Sequence, residues 1–281
     1  MFRSGALLVR QERIPLRGIR SAFRIVHLSD VHFSKATSFA QNEAVISAIV
    51  HRVRQCRQKG KIDLIAVTGD LVSRQPGLYG IPAALKLMAL LRGTAPVVFS
   101  LGNHETDLPA GQRAELLNGL RDRGVLVLDN TGVNVSGSTF RGLTLPGDVY
   151  KGKYGYRGLR PITAGLVKRC IGQVTHPCVL LAHTPTGFPA YARWGADLVL
   201  SGHMHGGIVR VPGIGGILSP ERKFFPVYDV GLYQERGSIL SLTAGIGKFR
   251  ICDPAEIVDL KLIPVRNSQQ RRNCANVTIS T

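Results

Sequence analysis

Five short apolar runs, each ending in a small polar cluster, constrain this chain more than any other feature. They are RIVHLSD (24–30), KIDLIAVTGD (61–70), PVVFSLGNH (96–104), PCVLLAHT (177–184) and ADLVLSGH (196–203). Runs of this length bounded by turn residues read as strands buried on both faces, each feeding a loop. Between the first two, Val45, Ile46, Ile49, Val50 and Val53 recur at helical spacing with polar residues opposite and Gly60 following. That pattern is an amphipathic helix lying on a sheet. Further helices are expected over 82–93 and 110–124, both closed by glycine. After about residue 125 the texture turns to hairpin-like strands, GVNVSGSTFRGLTLPG, and strands SILSLTA (238–244) and EIVDLKLI (256–263) come last. Strands alternating with helices, then more strands, predict an α/β fold in which two sheets pack face to face with helices outside.

With 281 residues and 44% hydrophobic content, the chain can bury a large core, and no composition break appears before the polar end. One catalytic domain over 1–265 and a polar, disordered tail over 266–281 are expected. No apolar run approaches the roughly 18–20 residues of a membrane span, and the opening MFRSGALLVRQERIP has an apolar stretch too short for a secretory signal. Cys56, Cys170, Cys178, Cys252 and Cys274 are odd in number and form no CxxC pair, which argues against a disulfide framework and a thiolate metal site. A cytoplasmic, reducing setting is expected.

The net charge of +18 concentrates polyanions near the surface without choosing among nucleic acid, anionic lipid headgroups and phosphorylated metabolites. Low aromatic content, 6%, and the lack of a recognisable nucleic-acid module weigh against the first.

The polar ends of the strands carry the chemistry. Asp30 and His32 follow the first, Asp70 the second, Asn103 and His104 the third, His183 the fourth, and His203 and His205 the fifth. Reactive groups in an open α/β sheet gather at the carboxyl ends of strands, so these eight are expected at one edge. If Asp30 and His32, and likewise His203 and His205, sit in extended backbone, each pair projects to one side. Imidazoles mixed with carboxylates suit Mn, Fe or Zn, and so many donors suit two divalent ions sharing a carboxylate. The glycines of SGHMHGG, Gly202, Gly206 and Gly207, allow tight bending and leave room for substrate. His27, His51 and His176 read as structural, and Asp63, Asp129 and Asp197 as turn residues. Lys151, Lys153, Arg157 and Arg160, interleaved with Tyr150, Tyr154 and Tyr156, form a basic loop able to clasp phosphate. The glycines of 207–225 lack the lysine spacing of a Walker loop.

The series DVH (30–32), GD (69–70), GNHE (102–105), His183 and GHMH (202–205) resembles the calcineurin-like metallophosphoesterase superfamily, in order, over about residues 24–205. The resemblance implies the four-layer α/β/β/α sandwich of that family. It implies that Asp30, His32 and His205 hold one metal, that Asn103, His183 and His203 hold the other, and that Asp70 bridges them. His104 would act on the leaving-group oxygen as acid or transition-state stabiliser, and Glu105, where many members have Asp, would orient His104. The implied mechanism is two-metal hydrolysis with ions about 3.5–4 Å apart. LVLSGHMHGGIVRVP, VYDVGLY (227–233) and LTAGIGKFRICDPAEIVDLKL (242–262) further resemble a bacterial branch containing membrane-associated phosphoesterases and UDP-2,3-diacylglucosamine pyrophosphatases. That branch implies a phosphorylated or lipid-linked substrate met at the inner face of the cell membrane. The apolar, glycine-rich 206–218 segment, with Arg222 and Lys223 nearby, reads either as a surface that rests on a bilayer and admits an acylated substrate or as an ordinarily packed loop.

Overall fold

The strands that the apolar runs dictate must each find two covered faces, and two stacked sheets provide them. A computed structural model describes residues 7–151, 155, 158–207, 209–211, 215–218, 224–247 and 255–265. In chain order, β1 (Leu7–Leu16) and β2 (Phe23–Leu28) precede α1 (Phe39–Gln58). Then come β3 (Leu64–Thr68), α2 (Gly77–Arg92), β4 (Val97–Ser100), the single turn α3 (Asn103–Thr106), α4 (Ala110–Asp122) and β5 (Leu126–Leu128). The second half holds β6 (Gly132–Val135), β7 (Ser138–Leu143), α5 (Ala164–Ile171), β8 (Cys178–Ala182), α6 (Phe188–Trp194) and β9 (Leu198–Ser201). A small ribbon, β10 (Val209–Val211) with β11 (Gly215–Leu218), leads to β12 (Gly231–Glu235), β13 (Ser238–Leu242) and β14 (Ala255–Pro264).

One six-stranded sheet runs β1-β14-β2-β3-β4-β5 and the other β12-β13-β9-β8-β7-β6. β2 to β5 are parallel, as are β7, β8, β9 and β13, while β14 is antiparallel to β2. The alternation of a strand decides the layers. In β3, Leu64 and Ala66 face the opposite sheet, where they join Phe140, Val179, Leu181 and Leu200. Ile65 and Val67 point the other way, against Ile49 and Val53 of α1 and Leu87 of α2. On the far side, Leu166 and Val167 of α5 and Tyr191 and Trp194 of α6 cover Leu180 and Val199. The result is the expected α/β/β/α sandwich of two mixed sheets with flanking helices.

α1 begins where Ser38 accepts from the Gln41 backbone and Gln41 returns the bond to the Ser38 N–H, a capping box. α2 starts five residues before the expected Pro82, at Gly77. The missing N–H of Pro82 removes the helical bond to the carbonyl of Leu78, a residue that is 78% exposed. β1 is a strand that the sequence reading did not foresee. Its inward positions include Glu12, 7% exposed, which pairs with Arg10 and accepts from Ser241 Oγ at 2.7 Å. Arg10 also reaches Glu256 and the Leu242 carbonyl, so charged residues stitch the two sheets. The expected tail, 266–281, lies outside the described residues.

Candidate metal centre

Because β2, β3, β4, β8 and β9 run parallel within their sheets, their carboxyl ends open toward one edge, and the eight residues singled out from the sequence meet there. Asp30 is 0% exposed, His183 1% and Asp70 2%. The pairs DVH and HMH do not sit in extended backbone as expected. Asp30 (φ 57°), His32 (φ 56°), Asp70 (φ 51°), His203 (φ 70°) and His205 (φ 53°) all adopt left-handed conformations. They are five of nine non-glycine residues with positive φ among the described residues, so backbone strain is concentrated at this edge. Turns, not strand alternation, aim these side chains.

Close backbone approach is what Gly102 and Gly202 supply. A Cβ on Gly102 would lie 2.2 Å from Asp70 Oδ1, and one on Gly202 2.2 Å from Asp30 Oδ2. Gly202 is thus required by contact with Asp30, whereas the bending foreseen for this motif falls to Gly206 and Gly207.

Each carboxylate has one oxygen tied to backbone and one turned to imidazoles. Asp30 Oδ2 accepts from the His203 N–H at 2.9 Å, and Asp70 Oδ1 from the His104 N–H at 2.9 Å. Asp30 Oδ1 lies 3.7 Å from His32 Nε2 and 3.9 Å from both His183 Nε2 and His205 Nε2. Asp70 Oδ2 lies 3.2 Å from His183 Nε2 and 3.7 Å from both His32 Nε2 and His104 Nε2. His183 Nδ1 lies 2.7 Å from the Thr68 carbonyl, so it donates there and leaves Nε2 facing inward. His203 Nδ1 is 3.2 Å from that Nε2.

These residues fit divalent cations. Asp30, His32 and His205 form one group whose donor atoms all lie within 4.8 Å of one another, and Asp70, His183 and His203 form another. A third, His32, Asp70 and His104, overlaps both. Donors around an ion at about 2.0–2.2 Å stand only a little over 3 Å apart, close to these spacings. Asp30 Oδ1, His32 Nε2 and Asn103 Oδ1 are buried and make no hydrogen bond among the described residues, as donors kept for a cation would.

The electrostatics agree. Burial raises the Asp30 and Asp70 carboxyls, yet the surrounding imidazoles outweigh it and hold both below the usual carboxylate range. Burial lowers His183, but Asp70 and Asp30 more than compensate and raise it to about 10. Burial lowers His104 to about 4, and its Nδ1 accepts the Arg74 N–H at 3.2 Å. Neutral His104 therefore carries its proton on Nε2, toward the centre.

Glu105 does not orient His104. It is 0% exposed and accepts from the backbone N–H groups of Asp70 and Gly102 with Oε2, both at 2.8 Å, and of Val72 with Oε1, at 3.1 Å. It clamps the loop after β3 to the loop after β4. Burial and the nearby Asp70 charge push its carboxyl up to about 7. Tyr150, which the sequence reading placed in the basic loop, is 5% exposed and stands edge-on to His203 with ring centres 5.4 Å apart. One contributor escaped the sequence reading. Gly247 donates to the Asp30 carbonyl at 2.5 Å, bringing the loop after β13 against the centre. The only hint of it was the glycine spacing in LTAGIGKF.

The residues read as structural are so placed. His27 bonds Thr68 Oγ1 inside the core, His51 meets Gln55 on α1, and His176 meets Asp197. Asp63, Asp129 and Asp197 accept from Arg24, Arg113 and the Cys178 N–H. In the basic loop, Lys151 is exposed and Arg160 stands 3.6 Å from Asp148. Lys153, Tyr154, Tyr156, Arg157, Arg222 and Lys223 lie outside the described residues. No described helix is long and apolar enough to cross a membrane.

The chain is similar to several known proteins. Phosphodiesterase YaeI of Escherichia coli (strain K12) is 28% identical over 263 residues, 91% of this chain and 88% of that one. An uncharacterized metallophosphoesterase, YkuE of Bacillus subtilis (strain 168), is 26% identical over 82% of this chain and 73% of its own. The structure of Haemophilus influenzae NAD nucleotidase (NadN) aligns with a TM-score of 0.49 and 17% identity, covering 88% of this chain and 58% of that one. Residues 23–207, which carry all eight residues of the centre, match the calcineurin-like phosphoesterase family. The chain belongs to that family and is a metal-dependent hydrolase of phosphoester bonds.

Proposed function

We propose that the protein is a phosphodiesterase whose single catalytic domain, residues 1–265, works with two divalent ions. Asp30, His32 and His205 hold one ion, Asn103, His183 and His203 the other, and Asp70 serves both. The observation that carries this reading is Asp70 Oδ2, 3.2 Å from an imidazole of one group and 3.7 Å from an imidazole of the other. Mixed imidazole and carboxylate donors favour Mn, with Fe or Zn as the other fits. The ions supply Lewis acidity toward phosphoryl oxygens and lower the pKa of water at the site.

The chain's own residues do the rest. His104 offers its Nε2–H to the departing oxygen. Glu105 keeps two loops in register so that Asp70 and Asn103 stay in place. Lys151, Lys153, Arg157 and Arg160 receive the remaining phosphate charge. The name of the E. coli relative supports a diester as substrate.

The finer reading is a UDP-2,3-diacylglucosamine diphosphatase of lipid A synthesis, in the bacterial branch described above, cleaving its substrate at the inner face of the membrane. Phe224, Phe225 and Val227, 73%, 67% and 79% exposed, support contact with lipid. So does the net charge of +18.

Purified protein loaded with Mn²⁺ is expected to hydrolyse bis(p-nitrophenyl) phosphate, and Asp70→Asn to reduce turnover roughly 100-fold or more. Unchanged turnover in that variant would remove the two-metal reading. Release of UMP from UDP-diacylglucosamine would support the finer reading; diester hydrolysis without UMP release would sink it.

A further inference from the structure

At the edge of the first sheet opposite the metal centre, cations from three neighbouring strands stand side by side. The register pairs Arg13 of β1 with Lys261 of β14, and Lys261 with Arg24 of β2. Ile14, Leu260, Leu262 and Ile25 fill the core between the sheets, so strand alternation turns Arg13, Lys261 and Arg24 to the outer face. α1 covers that face as far as Cys56 and ends at Gln58. Past its end lies an open cleft of about 510 Å³, lined by these three cations together with Lys59 and Lys61.

The acids in the cleft do not balance them. Asp259 is taken by Arg24, whose Nε and Nη2 donate to its two oxygens at 2.8 and 2.7 Å. Asp63 accepts from the Arg24 backbone N–H at 2.9 Å and pairs with Lys61 at 2.9 Å. Glu12 turns inward to Arg10 and Ser241. Arg13, Lys59 and Lys261 are all exposed, and none has a carboxylate partner among the described residues. Neighbouring strands lie about 4.8 Å apart, and like charges directly opposite one another are destabilising. The dipole at the C-terminus of α1 offsets Lys59 in part. Arg13 and Lys261 stand on strands, and sheets have only small net dipoles.

The row spans two strand spacings, about 10 Å, which is more than a single phosphate group covers. We propose that this cleft binds an oligophosphate anion, a di- or triphosphate group, at a site separate from the metal centre. Linked phosphates lay their oxygens along the row. Arg13 offers them a planar pair of N–H groups, while Lys59 and Lys261 act as point charges. From Arg24, near the start of β2, to Asp30, beyond its end, the chain runs roughly 20 Å, so one phosphate chain does not serve both sites. The site stands independently of the reaction proposed above.

Calorimetric titration of metal-free protein with sodium tripolyphosphate is expected to show one site, weakened about tenfold or more in the double variant Arg13→Gln/Lys261→Gln. Lys59→Gln is expected to weaken it about threefold or more, and decides the matter if the double variant does not fold. The charge-matched variant Arg54→Gln/Arg121→Gln, whose cations are exposed outside the cleft, should bind as the wild type does. Inorganic phosphate should bind about tenfold or more weakly than tripolyphosphate. Equal losses in the two double variants would reduce the effect to the net charge of +18 and overturn the proposal, as would equal affinity for inorganic phosphate. In Mn²⁺-loaded protein, Arg13→Gln/Lys261→Gln should leave turnover of bis(p-nitrophenyl) phosphate unchanged; a loss would place these cations in the reaction instead. Binding to phosphatidylserine vesicles that the double variant abolishes, with no binding of tripolyphosphate, would give the cleft to a membrane surface and overturn the oligophosphate site.

Discussion

Asp30 and Asp70 each give one carboxylate oxygen to a backbone N–H and present the other to imidazoles. The tie fixes the side chain, so the presented oxygen keeps its place without a cation to hold it. Glu105 extends the same logic to the backbone. Its replacement by Ala leaves three buried N–H groups without acceptors, and we expect a loss of about 3 kcal/mol or more in chemical unfolding. A loss under about 0.5 kcal/mol would show that the clamp contributes little. Gly102→Ala forces a methyl into Asp70, and metal titration should register it as weaker binding even where the fold survives. The identities of the eight residues were legible in the sequence, since each follows an apolar run. Their aiming was not, because left-handed turns at Asp30, His32, His203 and His205 are imposed by tertiary contacts such as the Gly247 N–H on Asp30. The partners of Glu105 were equally hidden, since two of its three bonds reach residues more than thirty positions away.

Among the elements, the five strands bearing the site and the helix α1 were legible because nothing competes with their periodicity. α5 and α6, of 8 and 7 residues, are too short to display one, and β1 and β12 place polar residues among apolar ones. β2 has a pH dependence of its own. His27 within it is 0% exposed, and burial lowers it from 6.5 to about 3. Between these values the unfolded chain takes up a proton that the native one refuses. Stability is therefore present above pH 6.5 and is lost as pH falls toward 3, by up to about 1.4 kcal/mol per unit. His27→Gln removes that proton. Urea unfolding in chelator at about pH 7 and about pH 5 should show a smaller difference for the variant than for the wild type. Equal differences would place the acid sensitivity elsewhere.

At the scale of the whole molecule, the centre joins loops from both sheets, so cations bound there link the two halves of the sandwich. Mn²⁺ at about 100 times its dissociation constant should stabilise the protein by about 2.7 kcal/mol, read as a raised melting temperature that EDTA reverses. Asp70→Asn should shrink that shift; an unchanged one would mean the ion binds elsewhere. The sandwich itself was legible from the order of elements, but the place of β14 was not, because nothing local distinguishes an outer strand from an inner one. β14 lies between β1 and β2, antiparallel to the strand that leads into Asp30. During synthesis, then, the first two strands emerge with a gap between them that only a much later stretch of polypeptide can fill. A ribosome-bound chain stalled before Ala255 should remain protease-sensitive and fail to retain cations, however many of the donor residues have already been made.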